Sequence, residues 1–100
     1  MAQALEEALK LDPLDGDVLM LLAQHYAGSG DTEKACLYFE RAAGIERFEA
    51  DARLKQAQCL VKSGRFQDAL PLIKRVQEIR PREDVARYLE QVEKVARSRN

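Results

Sequence analysis

Histidine and cysteine are scarce in this sequence, which holds one histidine, His25, and two cysteines, Cys36 and Cys59. The spacing of the cysteines matches no zinc-binding pattern, and a metal held by these three residues would still lack ligands. Two cysteines also do not make the disulfide framework of a small secreted domain. We therefore expect two free thiols, buried or half-buried, and neither a metal nor another cofactor.

The sequence also lacks the parts of a cysteine-dependent catalytic site. Cys59 follows His25 by 34 residues, so the two could lie side by side on adjacent helices, and a thiolate nucleophile needs a nearby base. Nothing in the sequence orients His25, however, and no glycine-rich loop is available to bind an oxyanion. We therefore expect no catalytic residues and a protein that is not an enzyme.

No uncharged apolar run approaches the roughly 20 residues that a membrane-spanning helix needs. The first ten residues, MAQALEEALK, contain acids where a secretory signal would carry bases. We therefore expect a soluble, cytoplasmic protein without a membrane partner. The repeat described below begins in mid-unit, as it would in a segment of a longer protein.

The net charge is only −1, but the charges are unevenly distributed. Residues 1–49 carry four bases and ten acids, a net charge of −6, whereas residues 50–100 carry twelve bases and seven acids, a net charge of +5. Such asymmetry can indicate an anionic partner, although charges in a repeat protein often only cover solvent-facing surfaces. Acids alternate with the bases of the second half, and no pair of aromatic residues accompanies them. We therefore expect no nucleic-acid partner.

A unit of 34 residues recurs along the chain. The matching pairs are Ala23 and Ala57, Tyr26 and Leu60, Gly30 and Gly64, Ala35 and Ala69, Phe39 and Ile73, and Ala42 and Val76. A fixed period of this size predicts stacked copies of one supersecondary unit, each too small to bury its own apolar face. The same register extended backwards reaches Leu5 and Ala8, which predicts part of an earlier copy.

Helical periodicity and helix-breaking residues divide the chain into six predicted helices. Their ranges are 2–11, 16–28, 32–43, 50–62, 67–79 and 84–97. Asp15 and Asp31 are predicted N-caps, and Gly30 is expected to adopt a positive φ in its turn. We expect Phe48 to pack into the joint between the two full copies. The predicted organisation is one domain, with the second helix of a partial repeat at 2–13, repeats at 16–49 and 50–83, and a capping helix at 84–98.

These residues resemble a tetratricopeptide repeat array. The matching positions are Leu22, Ala23, Tyr26, Gly30, Ala35, Phe39 and Ala42 in the first full copy, and Ala57, Leu60, Gly64, Ala69, Ile73, Val76 and Pro81 in the second. Gln56 replaces the large apolar residue of the pattern, and Arg47 replaces its proline. The resemblance implies an all-α fold, a right-handed α-solenoid of antiparallel helix hairpins with six helices, including a C-terminal capping helix.

The resemblance also implies a concave groove, lined by the first helix of each repeat, that binds a peptide or a helix of a partner. Helical geometry gives the candidate groove residues Asp17, Met20, Gln24 and Ala27, their counterparts Asp51, Leu54, Gln58 and Val61, and the adjacent Lys55 and Lys62. Met20, Leu54 and Val61 could instead fill the core. A subgroup of the family grips a C-terminal carboxylate with asparagine and lysine or arginine. Gln24, Gln58 and Met20 occupy those positions here, so that clamp is absent or altered.

The sequence therefore predicts a non-catalytic module for protein–protein interaction. The alternative is a structural role, either as a segment of a longer solenoid or through head-to-tail self-association of the −6 and +5 ends. Heterologous contacts of that kind would form open chains rather than closed dimers.

Overall fold

The computed structural model describes residues 1–99, which form six α-helices and one short 3₁₀ helix. The α-helices are α1 (Ala2–Leu11), α2 (Gly16–Gly28), α3 (Thr32–Ala43), α4 (Glu49–Lys62), α5 (Phe66–Ile79) and α6 (Glu83–Ser98), and the 3₁₀ helix is Glu46–Phe48. No strand occurs in this described range. Each predicted helix is present to within one residue at either end. The all-α fold with six helices is therefore confirmed.

The predicted start and stop signals act as expected. The side chain of Asp15 accepts a hydrogen bond from the Val18 amide at 3.2 Å, and that of Asp31 accepts one from the Lys34 amide at 3.2 Å. Both satisfy an amide that has no partner within its helix. Gly30 has a φ of 84°, a conformation that costs glycine little because it has no Cβ. The Asp15 cap fixes where α2 begins, and Gly30 and Asp31 fix where α2 ends and α3 begins.

Consecutive helices pack against one another and give an elongated solenoid of 44 × 26 × 16 Å. Its core consists of two clusters, one for each hairpin. The first cluster includes Leu19, Leu22, Ala23, Ala35, Phe39 and Ala42, and the second includes Ala57, Leu60, Ala69, Ile73, Val76, Val85 and Val92. The paired positions of the 34-residue repeat thus lie at corresponding places in the two clusters. The repeat exists because each hairpin must bury the same stripe.

Phe48 joins the two hairpins, as the sequence analysis expected. It precedes α4, packs against the first cluster, and lies directly over Gly16 at the start of α2. The Arg47 guanidinium lies over the Phe48 ring at 4.6 Å from its centroid. Gly16 is buried because the ring covers it. The residue before α4 therefore secures the first turn of α2.

Replacing Gly16 with alanine should lower the free energy of unfolding by about 1 to 3 kcal/mol, because the added methyl group would overlap the Phe48 ring. In a Phe48→Ala background the same change should be neutral or slightly stabilising, because alanine is the better helix former. Urea unfolding of the four proteins in this cycle measures the coupling. Additive effects of the two substitutions would show that the ring and Gly16 are not in contact.

An ion-pair network holds α4 against α5. Glu49 is the first residue of α4, and its carboxylate accepts hydrogen bonds from Arg53 Nε at 2.7 Å and from Arg75 Nε at 2.9 Å. A second bond from Arg75 Nη2 at 3.3 Å makes that pair bidentate. The hydrogen bonds from Arg75 and Arg53 lower the pKa of Glu49 to about 2, against an ordinary value of 4.5. Glu49 therefore remains charged well into the acid range.

The network predicts that the free energy of unfolding depends on pH through the ionisation of Glu49. The contribution of Glu49 to that free energy is fully present above about pH 4.5, where Glu49 is ionised in the unfolded chain as well. The contribution is lost as the pH falls through the folded pKa of about 2. Wild type and Glu49→Gln should therefore differ most near neutral pH and converge as the pH approaches 2. Urea unfolding across this range measures the difference. A difference in the free energy of unfolding between the two proteins that stayed constant with pH would contradict the assigned network.

The last helix, α6, carries a polar outer face. Val85, Val92 and Ala96 are buried against the second cluster or its edge. At the positions 34 residues after the buried Gln56, Ala57 and Leu60, α6 carries the exposed Glu90, Gln91 and Lys94. The apolar stripe of α4 is therefore replaced in α6 by residues that favour contact with water.

Candidate binding groove between α2 and α4

An open cavity of about 390 Å³ lies between the C-terminal halves of α2 and α4. Gln24 and Ala27 line it from α2, and Lys55, Gln58 and Lys62 line it from α4. Repeat geometry brings these side chains together, because Gln58 is the 34-residue counterpart of Gln24. We call this surface the α2/α4 groove. Five residues predicted from the sequence thus line one cavity: Gln24, Ala27, Lys55, Gln58 and Lys62.

The floor of the α2/α4 groove is apolar and its end is polar. Phe39 and the buried Cys59 contribute to its lining. At one end Thr32 Oγ1 and Ser63 Oγ lie 2.6 Å apart and share a hydrogen bond. This bond connects the first residue of α3 to the residue that follows α4. The groove therefore has a fixed floor and a fixed end.

Two amides on the groove walls have unused hydrogen-bonding groups. The Gln24 and Gln58 side chains are exposed and make no hydrogen bond within residues 1–99. Lys55 pairs with Asp51 at 3.3 Å, whereas Lys62 has no ion pair among the described residues. Each amide can donate and accept. The groove thus offers two bidentate polar groups and one available positive charge.

The other predicted groove residues lie elsewhere. Asp17 is exposed on α2 but does not line the cavity, and Asp51 and Leu54 line a separate depression of about 50 Å³ near Val85. Met20 is only 5 % exposed and packs in the first cluster. The sequence left groove and core open for Met20, Leu54 and Val61. The burial of Met20 places it in the core, and Leu54 and Val61 are partly buried and pack against the second cluster.

Leu21 is an exposed residue of α2 that the sequence pattern did not single out. Its side chain is 48 % exposed, one turn before Gln24 and one turn after Asp17 on the same face of α2. It is the 34-residue counterpart of Lys55, which lines the cavity, but Leu21 itself does not line it.

Comparison with protein families gives two overlapping matches, both described as tetratricopeptide repeat. One covers residues 28–92 and the other covers residues 2–48. The chain belongs to the tetratricopeptide repeat family. Tetratricopeptide repeats are generally modules for protein interaction. A search of curated proteins gave no match.

Two departures from the tetratricopeptide repeat pattern have visible structural consequences. Arg47 replaces the proline before α4, and a 3₁₀ turn anchored by Phe48 makes the joint instead. Gln56 replaces a large apolar residue, and it is nevertheless only 3 % exposed. Its Nε2 donates to Glu40 Oε2 at 3.3 Å, and its Oε1 accepts no hydrogen bond from any described residue. A buried acceptor without a donor is costly, by about 1 to 3 kcal/mol.

The histidine and the cysteines of this tetratricopeptide repeat chain have separate surroundings. Burial raises the pKa of the Cys36 thiol, despite an opposing hydrogen bond from Gln56, and so disfavours the thiolate. His25 packs edge-on against the Tyr26 ring at 5.1 Å, and no hydrogen bond joins it to Cys59 within the described range. Residues 1–99 contain no group of three or more potential metal ligands. None of their helices has the length and apolar character needed to cross a membrane.

Proposed function

We propose that this tetratricopeptide repeat chain is a non-catalytic module that binds a peptide or helix of a partner protein in the α2/α4 groove. One observation carries the proposal. Two exposed amides, Gln24 and Gln58, lie on adjacent helices beside an open cavity with an apolar floor, and neither has a partner within residues 1–99. Unused amides on both walls suit a chain that presents its own N–H and C=O groups.

The surrounding side chains favour a particular kind of peptide. Ala27 and Phe39 provide apolar contacts, and Lys62 provides a positive charge at the far end. A mostly apolar segment with an acidic residue toward the Lys62 end meets all of these groups. At an exposed site, a charge-assisted contact contributes more to the orientation of the bound peptide than to its affinity.

The double variant Gln24→Glu, Gln58→Glu tests this proposal. It removes both amide donors and adds two negative charges beside the cavity. Peptides selected by display on the wild-type chain should bind the variant at least about tenfold more weakly, because two hydrogen bonds and an unfavourable charge together exceed about 1.4 kcal/mol. Fluorescence polarisation with labelled peptide gives the dissociation constants.

A matched variant controls for charge alone. Gln3→Glu, Gln91→Glu makes the same chemical change at two exposed positions outside the groove. It should bind the selected peptides as the wild type does. Equal affinity of all three proteins, with circular dichroism showing them folded, would contradict groove binding.

A structural role as a segment of a longer solenoid is the second candidate, and exposed leucines favour it. Leu11 is 90 % exposed and Leu14 is 74 % exposed. Their 34-residue counterparts, Ile45 and Phe48, are half-buried against the first cluster. A helix placed one repeat earlier would cover both leucines in the same way. From the same 34-residue spacing we also propose that the two full repeats span residues 16–49 and 50–83.

Sedimentation velocity separates this role from self-association. Head-to-tail contact between oppositely charged ends should weaken at high salt, because charges more than about 8 Å apart are screened near 0.15 M salt. A monomer at every concentration in low salt would remove self-association. Association that persists in high salt and is lost in Leu14→Glu would instead assign it to the exposed leucines.

A further inference from the structure

A second cleft lies on the other side of α4 from the groove, between α3 and α5. Its volume is about 410 Å³. Leu37 and Glu40 line it from α3, Leu72 lines it from α5, and Gln56 and Leu60 of α4 form its floor. On α4 these two floor residues face away from Gln58 and Lys62 by helical geometry. We call this surface the α3/α5 cleft.

The repeat provides an internal comparison for this cleft. The residues 34 positions before those of the cleft lie at the junction of α1 and α3. There Tyr26 takes the place of Leu60, Tyr38 that of Leu72 and Glu6 that of Glu40. In that first junction the Tyr26 and Tyr38 rings stack at 5.8 Å with an interplanar angle of 9°. The two rings occupy the space that two leucines leave open in the α3/α5 cleft.

The first junction also shows how a phenol is held there. The Tyr26 hydroxyl donates a hydrogen bond to Glu6 Oε1, and this bond raises the pKa of Tyr26 to about 12. The corresponding carboxylate, Glu40, receives only the Gln56 amide at 3.3 Å. The cleft therefore retains the acceptor of the first junction without its phenol donor.

Gln56 adds an independent indication that a donor is missing. Its side chain is more than nine-tenths buried, and its Oε1 has no hydrogen-bond partner among residues 1–99. This oxygen has almost no surface open to the cleft, so a donor in the cleft reaches it only when the amide turns outward. Its unfavourable burial favours such a turn. An apolar residue would be more stable at this core position, as Leu22 is in the first copy.

The charges of the cleft rim leave one carboxylate, Glu40, for an incoming donor. Three acids surround the cleft, but Arg65 already pairs with Glu33 at 3.3 Å and with Asp68 at 2.9 Å. Glu40 alone has no cationic partner in the described part of the chain. A phenol needs one acceptor and a flat apolar space, and the cleft offers both.

We propose that the α3/α5 cleft binds a tyrosine side chain of a partner protein. The ring lies against Leu60 and Leu72, and the hydroxyl donates to Glu40, or to Gln56 Oε1 when that amide has turned outward. This site is separate from the α2/α4 groove and does not depend on peptide binding there. It makes the outer side of the solenoid a second recognition surface.

Amide chemical shifts measured by NMR test the proposal with three small probes. N-acetyl-tyrosinamide should produce saturating shifts at Cys36, Gln56 and Leu72. N-acetyl-phenylalaninamide should bind at the same place roughly threefold to tenfold more weakly, because it lacks the hydroxyl donor. Absence of saturating shifts at the cleft, or equal affinity for the two probes, would overturn the proposal. Tighter binding of N-acetyl-argininamide would also overturn it and assign the cleft to a cation.

Substitutions in the chain test whether the probe binds in the α3/α5 cleft. Leu72→Tyr, alone or with Leu60→Tyr, supplies the cleft with the chain's own ring and should abolish shifts from the tyrosine probe. Gln56→Leu should keep or raise the unfolding midpoint while weakening the probe severalfold. The groove variant Gln24→Glu, Gln58→Glu should bind the probe as wild type does, which distinguishes failure of this site from failure of the groove. Unchanged binding in the folded Leu72→Tyr protein would contradict the site.

Discussion

Replacing Phe39 with alanine should lower the free energy of unfolding by about 3 to 5 kcal/mol. The Phe39 ring is 1 % exposed and belongs to the first cluster, so its removal loses buried apolar area and leaves a cavity. The expected loss is a large part of the roughly 5 to 15 kcal/mol that holds a domain of this size together. Urea denaturation followed by circular dichroism measures it.

Leu37→Ala is the matched control, because Leu37 lies on the same helix and is 53 % exposed. It should change the free energy of unfolding by less than about 0.5 kcal/mol. A small effect at Phe39, or equal effects at both positions, would show that the buried face of α3 has been assigned incorrectly.

Ala35→Leu and Ala69→Leu should each cost about 1 to 3 kcal/mol through overpacking. Both alanines have no exposed surface and lie where the two helices of a hairpin cross. Close approach of helices, at roughly 8 Å, requires small side chains at the crossing. The repeat predicts similar losses at the two sites, because they are equivalent positions.

Ala4→Leu controls for the change of residue type, since Ala4 is exposed on α1. It should leave the unfolding midpoint close to that of the wild type. A loss below about 0.5 kcal/mol at Ala35 or Ala69 would mean that these alanines do not lie at the hairpin crossing.

The sequence predicted the fold well because two independent patterns agree. The 34-residue period sets which positions are equivalent, and the helical period sets which face is buried. Ala23, Ala35, Phe39 and Ile73 are fully or almost fully buried, as both patterns require. Helix boundaries were also predictable, because Asp15 and other residues at the turns have conformational roles that few residue types can fill.

The groove was only partly predictable because α2 is apolar on nearly every side. Periodicity cannot distinguish the inner face of such a helix from its outer face. Met20 and Leu21 are neighbours of similar hydrophobicity, yet one is buried and the other is half exposed. Only the packing of α2 against α1 and α3 decides between them.

Long-range polar contacts were not predictable at all. Glu49 and Arg75 are 26 residues apart, and 16 bases and 17 acids allow very many pairings. The sequence identified Gln56 as a departure from the family pattern, but not that its oxygen would be buried without a donor. Such features depend on the positions of neighbouring helices.

Paramagnetic relaxation measured by NMR tests the interaction role most directly. A peptide selected by display on the wild-type chain would carry a nitroxide label at one end. The strongest broadening of amide signals should occur at Gln24, Ala27, Gln58 and Lys62, on the two walls of the α2/α4 groove. Strongest broadening on the outer face of α6 or beside Leu11 and Leu14 would contradict the groove as the site of binding.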